Sequence, residues 1–147
     1  MEPHQLELLA PARDADIGIE AVNHGADAVY IGGPSFGARA AASNEVADIA
    51  RLVEYAHRFN ARVFVTLNTI LTDDELEPAR RQIIQLYDAG ADALIIQDMG
   101  LLELDLPPLP LIASTQTDNA VPGKVRFLDS VGFSRVILAR ELSLDRI

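Results

Sequence analysis

Residues 25–32 read Gly-Ala-Asp-Ala-Val-Tyr-Ile-Gly, and residues 90–97 read Gly-Ala-Asp-Ala-Leu-Ile-Ile-Gln. Residues 132–139, Gly-Phe-Ser-Arg-Val-Ile-Leu-Ala, repeat the theme. Each copy begins with a glycine suited to end a helix and continues as a short, mostly apolar run. Six such runs occur along the chain, and this spacing is typical of consecutive β/α units. The carboxyl ends of the strands are where such folds place their chemistry.

The flanking residues predict where the elements begin and end. The predicted strands are Leu6–Ala10, Ala28–Ile31, Arg62–Asn68, a fourth within residues 90–97, Leu111–Ser114 and Val136–Ala139. Pro11 is expected to stop the first strand, and Asn44 to cap the second helix. Thr72 and Glu75 form a capping box, although Pro78 suggests that this helix begins one turn later.

These elements predict an α/β fold of TIM type, since right-handed crossovers between parallel strands place the helices outside the sheet. A closed barrel needs eight units and typically about 250 residues. We therefore expect residues 1–147 to be the N-terminal portion of a single parallel (β/α)8-like barrel domain, incomplete, with about six of eight strands and no internal linker. The alternative is an open, doubly wound sheet. It is disfavoured because residues 10–13, Ala-Pro-Ala-Arg, replace the glycine-rich phosphate loop after the first strand.

Composition limits the function classes. The net charge of −10, from 22 acidic and 12 basic residues, argues against an extended nucleic-acid-binding surface within this segment. The chain has no cysteine, which excludes disulfides, a thiol nucleophile and a cysteine-ligated metal centre made by these residues alone. Neither a signal peptide nor an apolar run long enough to span a membrane is visible, so we expect a cytoplasmic protein without membrane contact.

Polar side chains follow each predicted strand and converge on one rim. We expect those most suited to bind substrate to be Arg39, Asn68, Gln97, Asp98, Gln116, Arg140 and Glu141. Other roles remain open: Asp98 can cap the following turn, and Arg140 and Glu141 can pair with neighbouring charges. The three histidines lack metal-ligand spacing, so no metal site is predicted. No individual catalytic residue can be assigned.

Several blocks of the sequence resemble the N-terminal half of the collagenase-like U-32 peptidase family. They span nearly the whole chain in the family's order and include Leu8–Ala12, Gly25–Gly33, Val65–Thr69, Gln97–Gly100, Ala113–Gln116 and Leu138–Ser143. Within the family, Gly32–Arg39, Asp73–Ala79 and Leu102–Pro108 look most like the bacterial branch that makes 5-hydroxycytidine in 23S ribosomal RNA.

The resemblance implies an iron–sulfur enzyme that hydroxylates RNA without molecular oxygen, with a prephenate-type co-substrate and ribosomal RNA as partner. The family's cysteines for the 4Fe–4S cluster would follow this segment, so no cofactor is expected within this chain. Activity is expected of the full-length enzyme rather than of the segment alone. Two alternatives stay open: a peptidase acting on protein substrates, and a non-catalytic module that forms a homodimer through an open sheet edge.

Overall fold

The computed structural model describes residues 6–37 and 44–147, in which six strands alternate with helices. The strands are β1 (Leu9–Ala12), β2 (Ala28–Gly32), β3 (Arg62–Leu67), β4 (Ala93–Ile96), β5 (Leu111–Ala113) and β6 (Phe133–Val136). The helices are α1 (Ala15–Asn23), α2 (Val46–His57), α3 (Asp73–Asp88) and α4 (Pro122–Ser130). Short 3₁₀ turns occupy Met99–Glu103, Thr115–Thr117 and Leu144–Arg146.

The strands form one parallel sheet in the order β1-β2-β3-β4-β5-β6, so each strand pairs with the next along the chain. Parallel neighbours require a crossover connection, which the helices or the longer turns supply. Within the described residues the sheet is unclosed, with β1 and β6 as its edges. The predicted α/β fold, an incomplete parallel barrel with six strands, is confirmed.

The two faces of the sheet build two apolar layers. Residues such as Ile31, Val65 and Leu94 face the helices and join the main core. Alternate residues, including Phe64 and Ile112, pack in a smaller cluster on the other, interior face. This alternation follows from the two-residue repeat of a strand, and burial of both faces explains why the strands are almost continuously apolar.

Helix α3 illustrates how local signals set an element's start. Thr72 and Glu75 form the predicted capping box, and the Thr72 amide donates to Glu75 Oε2 at 2.8 Å. The expectation that Pro78 delays the helix is wrong, because α3 begins at Asp73 and contains the proline. The capping box and the acidic first turn favour the earlier start, and Pro78 removes just one backbone donor. No helix in residues 6–37 or 44–147 is long and apolar enough to cross a membrane.

The two edge strands differ most from the prediction. Pro11 lies inside β1 rather than ending it, because β1 pairs with β2 alone and a missing N–H is tolerated at an edge. Strand β6 lies three residues earlier than predicted. The apolar residues that suggested the later position, Ile137–Ala139, continue past the strand into the loop beside β5.

An ionic cluster lies in the interior near the start of β3. Glu7 forms ion pairs with both Arg62 and Arg135, joining the segment before β1 to β3 and β6. Both guanidinium groups lie over the ring of Phe64, at 5.6 and 5.5 Å from its centroid. Charge pairing and cation–π contact therefore connect opposite sides of the unclosed sheet.

Candidate functional site

A cavity of about 660 Å³ opens at the carboxyl ends of the strands. Its volume is within the usual range for small-molecule sites. The apolar part of its lining comes from interior-facing residues such as Leu9, Ile95 and Ile137. The loops after β1, β2, β5 and β6 supply much of the remainder. The cavity therefore lies where the β/α pattern predicts a site.

Three of the predicted site residues line this cavity together. Asn68 follows β3, Gln116 lies in the turn after β5, and Arg140 follows β6. The Arg140 guanidinium has no ion-pair partner in the described part of the chain, and the side chain is exposed. It can therefore donate to an anionic ligand through its fork of N–H groups.

Gln97 and Asp98 lie instead on a second, shallower depression of about 400 Å³, between Ile70, Met99 and the exposed face of α4. Gln97 Nε2 donates to the Gln116 carbonyl at 3.2 Å, so this contact separates the two depressions. The carboxylate of Asp98 accepts from the amides of Gly100 at 2.7 Å and Leu71 at 2.8 Å. Asp98 therefore has the capping role that the sequence left open.

The last two predicted site residues are Glu141 and Arg39. Glu141 is exposed beside Arg140 and lines neither of the two depressions. Arg39 lies outside the residues that the structure describes.

Tyr30 is the main lining residue that the sequence reasoning missed. It lies on the interior face of β2 and packs against the apolar cluster around Phe64. Its hydroxyl has no hydrogen-bond partner among residues 6–37 and 44–147, although the side chain is half-buried. A tyrosine hydroxyl so placed normally has a partner, and a ligand in the cavity could supply one. Alternation along β2 could have identified it, since Ala28 and Tyr30 lie on the same face.

Arg13 adds a second cation to the rim. Its Nε donates to Asp14 Oδ2 at 3.0 Å, and Asp14 also caps α1 by accepting from the Ile17 amide. The Ile17 amide and then the Arg13 side chain hold the pKa of Asp14 below its usual value. These contacts tie the loop after β1 to the start of α1.

Buried polar side chains stand behind the loops of the cavity. In the described residues such side chains are Asn44, Gln82, Ser114, Thr117 and Asn119. All five hydrogen-bond to loops at the carboxyl edge of the sheet. A buried polar group must find a partner, so these contacts fix the backbone around the cavity.

Asn44 and Gln82 fix the loops after β1 and β2. Asn44 Nδ2 donates to the carbonyls of Arg13 and Gly32, both at 3.1 Å, and it is Glu45 that caps α2. The prediction that Asn44 caps this helix is therefore wrong, because the side chain is drawn inward to these carbonyls. Gln82 reaches from α3 to the Ser35 carbonyl at 3.1 Å, where a Cβ on Gly33 would come within 2.8 Å of Nε2.

Charge is unevenly distributed along the chain. Residues 1–113 hold 18 acidic and seven basic side chains, whereas residues 114–147 hold four acidic and five basic ones. Residues 114–147, which form much of the β5–β6 side of the cavity, therefore lack the strong negative charge of residues 1–113. An anionic ligand would meet less repulsion there.

In the ranges that the structure describes, no group of three or more His, Cys, Asp or Glu side chains is arranged to hold a metal ion.

Comparison with known proteins adds the family. The model of peptidase family U32 matches residues 14–147. The chain is 65% identical over 144 residues to the 23S rRNA 5-hydroxycytidine C2501 synthase of Escherichia coli (strain K12), covering 98% of this chain and 22% of that protein. It is 35% identical over 141 residues to the tRNA hydroxylation protein P1 of Bacillus subtilis (strain 168), covering 93% of this chain and 33% of that protein.

A solved U32 peptidase has the same fold, with a TM-score of 0.73 at 13% identity, over 94% of this chain and 60% of that one. The chain spans between about a fifth and a third of the length of the two curated relatives described above. The family match covers nearly the whole chain, and the chain belongs to peptidase family U32.

Proposed function

We propose that this chain is the N-terminal part of an RNA hydroxylase that forms 5-hydroxycytidine in 23S ribosomal RNA. The supporting observation is the 65% identity to a 23S rRNA 5-hydroxycytidine synthase, against 35% to a tRNA hydroxylation protein of the same family. The partner is then ribosomal RNA, and the cytoplasm is the expected location. We also propose that the six strands belong to an eight-stranded barrel.

The cavity at the carboxyl edge is the proposed binding site. Arg140, Asn68 and Gln116 would hold the polar groups of a ligand, and the Tyr30 hydroxyl would bond to it above the apolar floor. A ring that carries a carboxylate, as in a prephenate-type co-substrate, matches an apolar floor beside a guanidinium. Gln97 would orient Gln116 through their hydrogen bond, and Asp98 would shape the adjacent loop. Arg39 and Glu141 remain candidates for the outer rim.

The iron–sulfur cluster that the resemblance implies does not fit the residues of this chain. Such clusters are held mainly by cysteine thiolates, and this chain has none. The ligands would have to come from outside residues 1–147. We propose that the cavity of this chain binds and orients the molecules that react.

The decisive experiment compares cells with and without the full-length gene. Mass spectrometry of 23S ribosomal RNA should find 5-hydroxycytidine in the parent, lose it in the deletion strain and recover it when the full-length gene is returned. An unchanged level of the modified base in the deletion strain would overturn the proposal.

The same purified full-length protein tests the peptidase alternative that the family's description suggests. Hydrolysis of collagen-like or other peptides that persists after removal of iron would favour that alternative. Size-exclusion chromatography of the chain tests the homodimer through the edges of β1 and β6, and a well-folded monomer would exclude it.

A further inference from the structure

The ends of β5 and β6 are joined by a buried side chain. The Ile137 amide donates to the Ala113 carbonyl at 2.9 Å, which continues the ladder between the two strands. Beyond this point Asn119 lies between the segments that follow β5 and β6, and it is fully buried. Its Nδ2 donates to the Ser114 carbonyl at 2.9 Å and to the Ile137 carbonyl at 2.8 Å. One amide group thus bridges both strand ends.

The turn before Asn119 is built to deliver this side chain. Asp118 has a positive φ of 53°, a conformation that aspartate adopts more readily than most residues, and it turns the backbone inward. Thr117 Oγ1 lies 2.7 Å from Asn119 Oδ1 and 2.8 Å from the Ser114 carbonyl, so its one hydroxyl hydrogen is shared between two acceptors. Contact with the hydroxyl keeps Oδ1 on the Thr117 side and leaves Nδ2 to donate to the two carbonyls. Lys124 of α4 donates to the carbonyls of Thr117 and Asp118 and holds the outside of the turn.

The two strand ends that Asn119 joins carry Gln116 and Arg140, which line the cavity. The Gln116 amide donates to Ser114 Oγ at 3.2 Å, so its position depends on Ser114. The Ala139 amide, next to Arg140, donates to the Asn119 carbonyl at 3.1 Å. The backbone on both sides of this part of the cavity is therefore fixed from one residue.

We propose that Asn119 is a positioning residue that sets the separation between Gln116 and Arg140 and so directs Arg140 into the cavity. The inference rests on the proposed function for its catalytic readout. Asn119 does not line the cavity, so its effect passes through these two residues. Donation to two carbonyls at once requires an NH₂ group, which aspartate lacks at nearly the same size.

The test uses the full-length protein, returned to the deletion strain as wild type, Asn119→Asp, Arg140→Gln or the double variant. Each single variant should lower the rate of 5-hydroxycytidine formation in 23S ribosomal RNA by roughly 10- to 100-fold, because small displacements of binding groups have effects of this size. The double variant should lose clearly less than the product of the two single losses, since both single variants act in part through Arg140. Independent, multiplying losses would overturn the proposal.

A chemical readout tests the same idea without RNA. Phenylglyoxal modifies exposed arginines, and peptide mass spectrometry gives the rate at each one. Asn119→Asp should change the rate at Arg140 by about threefold or more as the loop opens locally. The rate at Arg81, an exposed arginine of α3, should stay constant. An unaltered Arg140 rate would contradict the proposal, even if the protein does not form hydroxycytidine.

Two further variants separate positioning from general stability. Thr117→Val keeps the shape but removes the hydroxyl that contacts both Asn119 Oδ1 and the Ser114 carbonyl, and it should change Arg140 reactivity in the same direction by a smaller factor. Ile83→Val removes a buried methyl group from α3 and should lower the melting temperature without changing Arg140 reactivity. If Ile83→Val reproduces the effect of Asn119→Asp at equal stability, the role of Asn119 is structural only.

Discussion

The two ends of the sheet's interior use polar groups in opposite ways. Near the start of β3, charged groups pair with one another, as Glu7 does with Arg62 and Arg135. At the carboxyl edge, buried neutral amides such as Asn119 bond to backbone carbonyls, and Arg140 keeps its charge available. The first arrangement joins strands, whereas the second holds a cavity open. The same fold thus separates stability from binding by position along the strands.

The largest effect should come from Arg140→Gln in the full-length protein. A charge-assisted hydrogen bond contributes about 1.5–3 kcal/mol, which corresponds to a roughly 10- to 100-fold loss of hydroxycytidine formation. The melting temperature should not change, because Arg140 is exposed and has no ion pair in the described residues. Arg81→Gln is the matched control and should have no effect on either quantity. A lower melting temperature of Arg140→Gln would show that Arg140 also stabilises the fold, which would contradict the separation of stability and binding between the two ends of the sheet.

Glu7→Gln should show the reverse pattern. The Glu7 side chain is 16% exposed and serves two guanidinium groups, so loss of its charge should lower the free energy of unfolding by about 1–2 kcal/mol. This range is below that of a fully buried pair because both arginines reach solvent. Urea denaturation measures the change, and Glu103→Gln at an exposed site is the control. A loss of activity at unchanged stability would show that the cluster belongs to the site.

Tyr30→Phe tests whether the floor of the cavity takes part in binding. The hydroxyl has no partner in the described residues, so its removal should not lower the melting temperature. Loss of one neutral hydrogen bond to a ligand, about 1 kcal/mol, should reduce hydroxycytidine formation by roughly fivefold. Tyr87→Phe on the surface of α3 should leave formation unchanged. Full activity of Tyr30→Phe would remove this residue from the site.

The smallest effect concerns the cap at the start of α1. The pKa of Asp14 is lowered by the Ile17 amide and Arg13, so the charged form stabilises the fold. That stabilisation is complete above the ordinary aspartate pKa and is lost as the pH falls through the lowered one. Asp14→Ala should therefore melt slightly earlier than wild type at pH 7, and the gap should narrow in acid. A gap that is constant with pH would assign the effect to the neutral cap alone.

The parallel sheet was predictable because a glycine followed by a buried apolar strand is a local pattern repeated along the chain. The edge strands were less predictable, since Pro11 is tolerated only where a neighbour is missing on one side. The division of the candidate site was also hidden. Sequence order places Gln97 and Asp98 at a strand end, but the chain turns away there and the Asp98 carboxylate caps the turn.

The buried amides could not have been identified from sequence. Gln82 lies in a helix whose polar residues are mostly exposed, and its inward direction depends on how α3 packs over the loop after β2. Asn119 follows a turn whose left-handed residue is not a glycine. Tertiary packing determines whether such a side chain points inward, and the local sequence pattern carries no signal of that direction.

Phe36 lies in the loop after β2, lines the cavity and has a positive φ. Its φ of 61° is unfavourable for a bulky residue, yet the Phe36 carbonyl accepts from both the amide and the hydroxyl of Thr69. A glycine at position 36 would relieve the backbone strain, but it would also remove the aromatic ring of Phe36 from the lining of the cavity. A substitution at Phe36 that stabilises the backbone would therefore also change what the cavity can bind.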